Sequence, residues 1–258
     1  MVEFESQWLA VSSVEVSNLL RKYCTNCPDC KGSRKKIVET DEYRKVELCD
    51  CVAKYIAEYN LVCAGIPEML RQLSKDDIDK DFLKQNHENW RKVAVYSKKL
   101  KEATESGAGL YIYGENGAGK SFAASLILKR AMREGYSGYF IVLRKLVDIA
   151  IASFGNEAVR NDIEKLVTEI DFLVIDELDK FYQDRKDLAM NLLEDLFKKR
   201  YYSKKPLIVT SNVPSDQIKH ILGPTVAATF SERLFDITLV GNYRPAILQK
   251  LHDGFFNT

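Results

Sequence analysis

Short apolar runs alternate with amphipathic stretches through most of the chain. Five runs have the length of buried strands: Leu110–Tyr113, Tyr139–Leu143, Phe172–Ile175, Leu207–Thr210 and Ile237–Val240. Helical periodicity lies between them, and the clearest stripe, at spacings i, i+3 and i+4, consists of Ala189, Leu192, Leu193, Leu196 and Phe197. Alternation of strands and helices is typical of βαβ units. The pattern therefore predicts the α/β class, with a parallel five-stranded sheet and flanking helices.

The N-terminal 60 residues carry a different pattern. Apolar positions at loose helical spacing predict a helix over residues 5–23, and weak alternation over Lys36–Leu48 predicts a short hairpin. A segment this small buries too little apolar surface to fold without a bound metal or another cross-link. We divide the chain into an N-terminal module, residues 1–60, and a larger domain, residues 61–258, with a turn-like Ala64–Pro67 near the boundary.

A phosphate-binding loop follows the first strand of the larger domain. Residues 114–121 read G-E-N-G-A-G-K-S, which matches G-x-x-x-x-G-K-[ST] between a predicted strand and a helical stretch. Its glycines allow successive N–H groups to turn toward phosphate, Lys120 is expected to reach the β- and γ-phosphates, and Ser121 to bind Mg²⁺. The residues predicted to contact ATP here are Gly114, Glu115, Asn116, Gly117, Ala118, Gly119, Lys120, Ser121 and Phe122.

Two other strands end in polar residues that suit ATP hydrolysis. Phe172–Ile175 runs into Asp176 and Glu177, the Walker B arrangement, in which Asp176 holds Mg²⁺ and Glu177 polarises the attacking water. Leu207–Thr210 ends in Ser211 and Asn212, and an Asn at this point is a candidate to hold that water. The alternative interpretations are an acidic surface turn for the carboxylates and a turn residue for Asn212.

The cysteines of this segment are candidates to provide that cross-link. Cys24, Cys27 and Cys30 are followed by Cys49 and Cys51. Two cysteine pairs suit tetrahedral Zn²⁺, and Gly32 can turn the chain after Cys30 with a positive φ. We predict a zinc-ribbon-like α+β module with Cys27, Cys30, Cys49 and Cys51 as ligands and Cys24 as a possible substitute. An iron–sulfur cluster and free reduced thiols are the alternatives.

The composition excludes several classes of protein, but it does not identify a function. Apolar residues make up 46% and charged residues 29% of 258 residues, which disfavours disorder. The formal net charge of +1 gives no overall attraction to nucleic acid, so DNA contact requires a local patch. Acids stand where a signal peptide has its basic region, and no apolar run has the length of a membrane span. We expect a cytoplasmic protein without membrane contact.

Together, Gly114–Ser121, Asp176-Glu177 and Thr210-Ser211-Asn212 resemble an AAA+ ATPase. Short segments at 64–67, 143–146, 230–234 and 241–244 narrow the resemblance to the DnaC, DnaI and IstB family, over about residues 61–250. The resemblance implies a lidless P-loop AAA+ core, because 14 residues follow Arg244. It also implies ATP at the interfaces of a self-oligomer, with Arg233 reaching the γ-phosphate of the next subunit and Arg244 as a sensor-2-like contact.

The resemblance further implies single-stranded DNA binding by residues 143–171. Arg144 and Lys145 are the candidate DNA contacts and Phe154 a candidate stacking group. The alternative is that this segment only packs a helix onto the core, through Leu146, Ile149, Ala150 and Phe154.

The expected function is ATP-dependent loading of the replicative hexameric DNA helicase onto single-stranded DNA, with the zinc module docking on the helicase. Two alternatives stay open at this point. One is an IstB-like ATPase that regulates DNA transposition, and the other is an adaptor in which nucleotide acts as a switch without significant hydrolysis.

Overall fold

The N-terminal part of the chain folds into two helices around a hairpin. The computed structural model describes residue 4 and residues 9–39, 43–180 and 185–243. The elements here are α1 (Ser13–Leu20), β1 (Lys35–Glu39), β2 (Arg44–Leu48) and α2 (Asp50–Cys63). Ser12 caps α1 by accepting a hydrogen bond from the Glu15 N–H at 3.2 Å. The predicted hairpin is confirmed. Of the helix predicted over residues 5–23, residues 9–12 are not helical, α1 begins at Ser13 and continues as a π-helical turn, Arg21–Thr25, and residues 5–8 lie outside the described residues.

Helix α2 joins this module to the rest of the chain. It begins directly after Cys49 and runs without interruption through residue 60, where the sequence pattern predicts a boundary. At its C-terminal end, the carbonyl of Ala64 accepts a hydrogen bond of 2.7 Å from the N–H of Phe140, in an edge strand of the large sheet. The same helix therefore carries cysteines at one end and contacts the sheet at the other.

The larger domain alternates strands and helices as predicted. Its elements are α3 (Glu68–Gln72), α4 (Lys80–Gln85), α5 (His87–Tyr96), α6 (Leu100–Ser106), β3 (Gly109–Gly114), α7 (Lys120–Arg133), β4 (Gly138–Val142), α8 (Leu143–Ala152), α9 (Glu157–Thr168), β5 (Phe172–Asp176), α10 (Lys186–Tyr202), β6 (Leu207–Ser211), α11 (Ser215–Leu222), α12 (Pro224–Arg233) and β7 (Leu234–Leu239).

Strands β3 to β7 form one parallel sheet in the order β4-β5-β6-β3-β7. All five predicted strands are present among the described residues. The largest shift in position is that of β7, which begins at Leu234 because that residue pairs with Gly109 at the start of β3. The fold predicted from the pattern is confirmed, whereas the expectation that no lid follows Arg244 concerns residues outside the described part of the chain.

Apolar side chains cover both faces of this sheet, which makes three layers. On one face, Tyr111 and Val209 belong to a buried cluster with residues of α8 to α12. On the other face, Ile112 and Ile208 belong to a cluster with residues of α3 to α7. Because the strands are parallel, their carboxyl ends meet at one edge, where open α/β sheets bind ligands.

Arg200 is buried near the C-terminal end of α10. The helix dipole favours a cation at this end, yet the residue is only 2% exposed. Its guanidinium donates to the carbonyls of Val167, Ile170, Asp171 and Pro206 at 2.7–3.1 Å. It therefore ties the end of α9 to the starts of β5 and β6.

None of the helices in the described ranges is both long enough and apolar enough to span a membrane.

Candidate active site and metal centre

The loop between β3 and α7 has the backbone that its glycines allow. Gly114, Gly117 and Gly119 have φ values of 149°, 89° and 78°. A Cβ on Gly114 would lie 1.9 Å from the carbonyl oxygen of Leu239, so the tight approach of β7 requires glycine there. Gly119 forms the N-terminal cap of α7, whose positive end faces the loop. Glu115 and Asn116 are exposed, whereas Ala118 is buried.

Phe122, a predicted nucleotide contact, turns its side chain into the interior. It is 2% exposed and stacks on Tyr243, with ring centroids 5.6 Å apart. The N–H of Tyr243 also donates to the carbonyl of Gly117 at 2.7 Å, which fastens the chain after β7 to the loop. Any contact of Phe122 with a nucleotide would thus involve its backbone. Arg244, the next residue after Tyr243, lies outside the described residues.

Lys120 links the loop to the strand that ends in Asn212. The side chain is 8% exposed, and its ammonium donates to the carbonyls of Gly114 at 2.9 Å and Glu115 at 2.8 Å. It also donates to Oδ1 of Asn212 at 2.9 Å. The residues predicted from two separate motifs are therefore in direct contact.

Ser121 and Asp176, the predicted magnesium ligands, are also adjacent. The Ser121 hydroxyl lies 2.8 and 3.0 Å from the two carboxylate oxygens of Asp176, and Thr210 donates to the same carboxylate. Burial and the charge of Glu177 raise the pKa of Asp176, although the hydrogen bonds and Lys120 oppose them. A hydroxyl beside a buried carboxylate is the oxygen donor set that Mg²⁺ accepts, so these two residues fit the ion.

Glu177 leaves β5 in an unusual backbone conformation, with φ at +59°. Non-glycine residues rarely adopt this region, and such residues cluster at functional sites. Its N–H donates to the Thr210 hydroxyl at 3.1 Å, and its carboxylate accepts a hydrogen bond from Lys180 at 2.6 Å. The side chain is 38% exposed, so solvent can reach it.

Asn212 is held by a residue that the sequence motifs did not identify. Asp179 accepts hydrogen bonds of 2.9 Å from the Ser211 hydroxyl and from the backbone N–H and side-chain amide of Asn212. Burial raises the pKa of Asp179, but these hydrogen bonds more than offset it and the pKa is lowered. No sequence motif identifies Asp179, because the residues that it contacts follow a different strand and are distant in sequence.

Arg233 lies far from the phosphate loop of the same chain. It ends α12, directly before β7, and β7 pairs with β3 from Leu234 with Gly109 to Leu239 with Gly114. Five strand residues therefore separate it from the loop, about 17 Å along the sheet. Its guanidinium lies over the Tyr201 ring, 4.6 Å from the centroid, and donates to the carbonyl of Ser106.

The predicted DNA contacts are on the surface. Arg144 and Lys145 are exposed in the first turn of α8, whose Leu146, Ile149 and Ala150 face the core. Phe154, just after this helix, is 73% exposed. The packing alternative is therefore right for the three aliphatic residues and wrong for Phe154.

Four cysteines form one cluster at the start of α2. The sulfurs of Cys27, Cys30, Cys49 and Cys51 all lie within 4.8 Å of one another. The Cys27–Cys49 and Cys30–Cys51 pairs are each separated by 3.7 Å, which matches the separation of about 3.8 Å that a tetrahedral ion with Zn–S bonds of ~2.3 Å requires. Cys24 points instead to the carbonyl of Cys51, at 3.7 Å. The donor set and its geometry fit Zn²⁺.

The backbone around Cys30 favours a thiolate. Burial raises the pKa of Cys30, but backbone hydrogen bonds from Arg34 and Gly32 and the thiols of Cys51 and Cys27 lower it to about 7. Gly32 has φ of 86°, as the turn prediction requires, and a Cβ there would lie 3.1 Å from the Thr25 carbonyl oxygen. The loop after Cys30 is therefore shaped for a metal-binding thiolate.

Comparison with known proteins agrees with this geometry. The sequence profile of the family described as IstB-like ATP binding protein matches residues 67–238. A DnaC helicase loader has a similar structure, with a TM-score of 0.52, 22% identity, and coverage of 58% of this chain and 86% of that chain. For DnaI these values are 0.56, 17%, 67% and 93%. No curated protein matches the sequence significantly. Identities this low support the fold alone.

Proposed function

The chain belongs to the family of IstB-like ATP binding proteins, and from this premise we propose that it hydrolyses ATP and loads the replicative hexameric DNA helicase onto single-stranded DNA. The observation that carries the proposal is the convergence of Lys120, Ser121, Asp176 and Asn212 at one edge of the sheet. This set contains the groups that phosphoryl transfer to water needs. The likeness to a DnaC helicase loader and to DnaI favours the loader among the functions of this fold.

In the proposed reaction, the loop backbone and Lys120 bind the phosphates of ATP. Ser121 and Asp176 would hold Mg²⁺, which neutralises developing phosphate charge when bound. Glu177, which solvent reaches, accepts a proton from the attacking water. Asn212 helps to orient that water.

Arg233 is proposed to act on the ATP of a neighbouring subunit. Its position about 17 Å along the sheet from the loop keeps it away from the nucleotide of its own chain. A guanidinium is suited to the charge of transferring phosphate because it is planar and permanently charged. The interaction with the Tyr201 ring and the Ser106 carbonyl would hold it at the surface until another subunit docks.

The cysteine module is the proposed contact for the helicase. One face of its hairpin exposes Ile37, Val46 and Leu48, which are 56%, 64% and 65% exposed. Ile37 and Val46 are directly paired, and Leu48 lies two residues along the same face. Zn²⁺ on Cys27, Cys30, Cys49 and Cys51 would hold this hairpin against α2. Arg144, Lys145 and Phe154 are the proposed contacts for single-stranded DNA.

Native mass spectrometry of the full chain with its host's replicative helicase, ATP and Mg²⁺ tests the loader proposal. We expect a complex that Ile37→Ser/Val46→Ser weakens and that Val14→Ser leaves intact, because Val14 is equally exposed, at 66%, but lies on α1. Absence of a complex with the zinc-loaded wild type would contradict helicase loading.

The family match itself favours a second candidate, an IstB-like ATPase that regulates DNA transposition. DNA preference separates the two. A loader should bind single-stranded DNA more tightly than duplex DNA at matched salt, and a transposition ATPase should show the reverse. A chain that binds ATP but never hydrolyses it, even with DNA and helicase, would instead be a nucleotide-switched adaptor.

A further inference from the structure

The side-chain amide of Asn212 is fixed from two sides. Its Nδ2 donates to Oδ2 of Asp179 at 2.9 Å, and its Oδ1 accepts from the ammonium of Lys120 at 2.9 Å. An ionised carboxylate only accepts hydrogen bonds and an ammonium only donates them. Each neighbour therefore requires the same amide orientation, independently of the other. The oxygen faces the phosphate loop and the nitrogen faces away from it.

We infer that Asp179 is a positioning residue for ATP hydrolysis, which holds Asn212 so that it presents a hydrogen-bond acceptor, and not a donor, to the nucleotide. The inference rests on the proposed ATPase function and adds a residue that the sequence motifs do not contain. Asp179 is well placed for this role because its other oxygen is engaged by the Ser211 hydroxyl and the Asn212 N–H, both at 2.9 Å. The carboxylate is thereby held on both of its oxygens.

The orientation decides what Asn212 can contact. Phosphate oxygens have no hydrogen to give at the γ position of ionised ATP, so Oδ1 does not bond to them. Its partners are the Lys120 ammonium and the O–H of the attacking water. When Glu177 accepts the other water hydrogen, the oxygen lone pair is left to attack phosphorus. The new P–O bond forms as the bond between the γ-phosphorus and the β,γ-bridging oxygen breaks, and that oxygen leaves with ADP. One water proton passes to Glu177 and the other stays on the phosphate product.

Asp179→Asn tests this inference because asparagine has the shape of aspartate but carries a hydrogen-bond donor in place of one acceptor oxygen. The single remaining oxygen at position 179 is needed by the Ser211 hydroxyl and the Asn212 N–H, so the new amino group faces Nδ2 of Asn212. Two donors then face each other, and turning the Asn212 amide would only place its amino group against the Lys120 ammonium. Asn212 therefore loses the one orientation that suits both neighbours. We expect kcat to fall by at least about tenfold, with little change in the Kd of ATP.

Three further variants separate positioning from a merely structural role. Asp179→Glu keeps an acceptor-only group and should retain more activity than Asp179→Asn, although its side chain is longer. Ser137→Ala removes a hydroxyl donor from Asp171, at the opposite end of the sheet from the site, and should change kcat by no more than about twofold. In an Asn212→Ala background, Asp179→Asn should have no further effect, because its action passes through the missing amide.

Equal losses in Asp179→Asn and Ser137→Ala, or an additive loss in the Asn212→Ala background, would overturn the inference and leave the proposed ATPase intact. A wild type that never hydrolyses ATP would overturn the proposed function instead. In that case the amide orientation is measured directly, from the side-chain ¹⁵NH₂ signals of Asn212, assigned by their loss in Asn212→Ala. These signals should show a carboxylate-bonded proton in the wild type that Asp179→Asn removes, and their absence from the wild type would contradict the inference.

Discussion

The N-terminal module and the ATP-binding domain have cores of different kinds. Within the described residues, the buried cluster of the module consists of five cysteines, with Tyr23, Val52 and Tyr55 packed against them. The domain has two clusters of aliphatic and aromatic residues, one on each face of its sheet. The module leaves aliphatic side chains exposed on its hairpin. We therefore expect the module to depend on a metal for its fold, whereas burial of apolar surface is sufficient for the domain.

Removal of the metal should produce the largest difference in stability between the module and the domain. A structural Zn²⁺ site contributes roughly 10 kcal/mol to folding, more than the module can obtain from burial. We expect a chelator, or Cys49→Ser, to abolish hydrogen-exchange protection across residues 24–51 while β3 and β5 stay protected. Exchange measured by mass spectrometry resolves the two regions in one experiment.

Two cysteine variants serve as matched controls for the chelator experiment. Cys63→Ser lies outside the cluster and should leave metal content and protection unchanged. Cys24→Ser tests the excluded sulfur, which contacts a carbonyl, and it should also retain the metal. Full protection of residues 24–51 in the metal-free protein would show that the module folds by burial after all.

The second prediction concerns the domain. Arg200→Met removes the hydrogen bonds that Arg200 donates to four carbonyls between α9, β5 and β6, of which the Pro206 carbonyl keeps the N–H of Leu173 at 3.3 Å. Unpaired buried carbonyls are costly, so we expect the free energy of unfolding of the domain to fall by about 3 kcal/mol or more. Denaturant unfolding measures the loss, and metal content reports the module, which should be unchanged.

Arg200→Lys is the matched control for this prediction. Lysine keeps the charge but lacks the planar fork that spans several carbonyls, so it should recover only part of the lost stability. If lysine restored the wild-type value, charge alone would explain Arg200 and the bridging interpretation would be wrong.

The role of Arg200 could not be predicted from the sequence, and the reason is physical. The phosphate loop and Asp176-Glu177 are contiguous segments, and local spacing predicts both their conformation and their proximity to the ends of strands. Three of the four carbonyls that Arg200 contacts, and both residues that donate to Asp179, are 29 to 33 residues away in sequence, near the end of α9 and the end of β6. Local patterns contain no information on such pairings, which depend on strand order. The metal ligands could be predicted in part. Spacing indicated four cysteines with Cys24 as a possible substitute, and only the positions of the sulfurs separate Cys24 from the other four.

Glu177→Gln should affect the domain's chemistry and neither region's fold. The amide cannot accept a proton from water, so we expect ATP turnover to fall by about a hundredfold. ATP binding and metal content should stay close to those of the wild type. Steady-state kinetics and binding of a fluorescent nucleotide measure these quantities, and undiminished turnover would mean that another residue is the base.

The smallest expected effect lies at Lys129 on α7, where the two regions meet. Glu58 of α2 pairs with Arg71 at 3.0 Å, and the Lys129 ammonium donates to the nearby carbonyls of Leu70, Arg71 at 3.1 Å and Leu73 at 2.7 Å. Burial and the charge of Arg133 lower the pKa of Lys129 from 10.5 to about 8, although Glu58 opposes them. The helix from the cysteine module is thus connected to the phosphate-loop helix through a buried cation.

The lowered pKa predicts the sign of a pH effect at this junction. Between pH 8 and pH 10.5 the folded protein releases the Lys129 proton while the unfolded chain keeps it, so stability rises with pH in that window. The free energy of unfolding of the wild type minus that of Lys129→Met should be flat below pH 8 and should then increase, by on the order of 1–3 kcal/mol. Urea unfolding at several pH values measures this difference, with Lys92→Met on α5 as the exposed control. A difference that stays flat to about pH 10.5 and then falls would contradict this prediction, because it would mean that the three carbonyls raise the pKa of Lys129 more than burial lowers it.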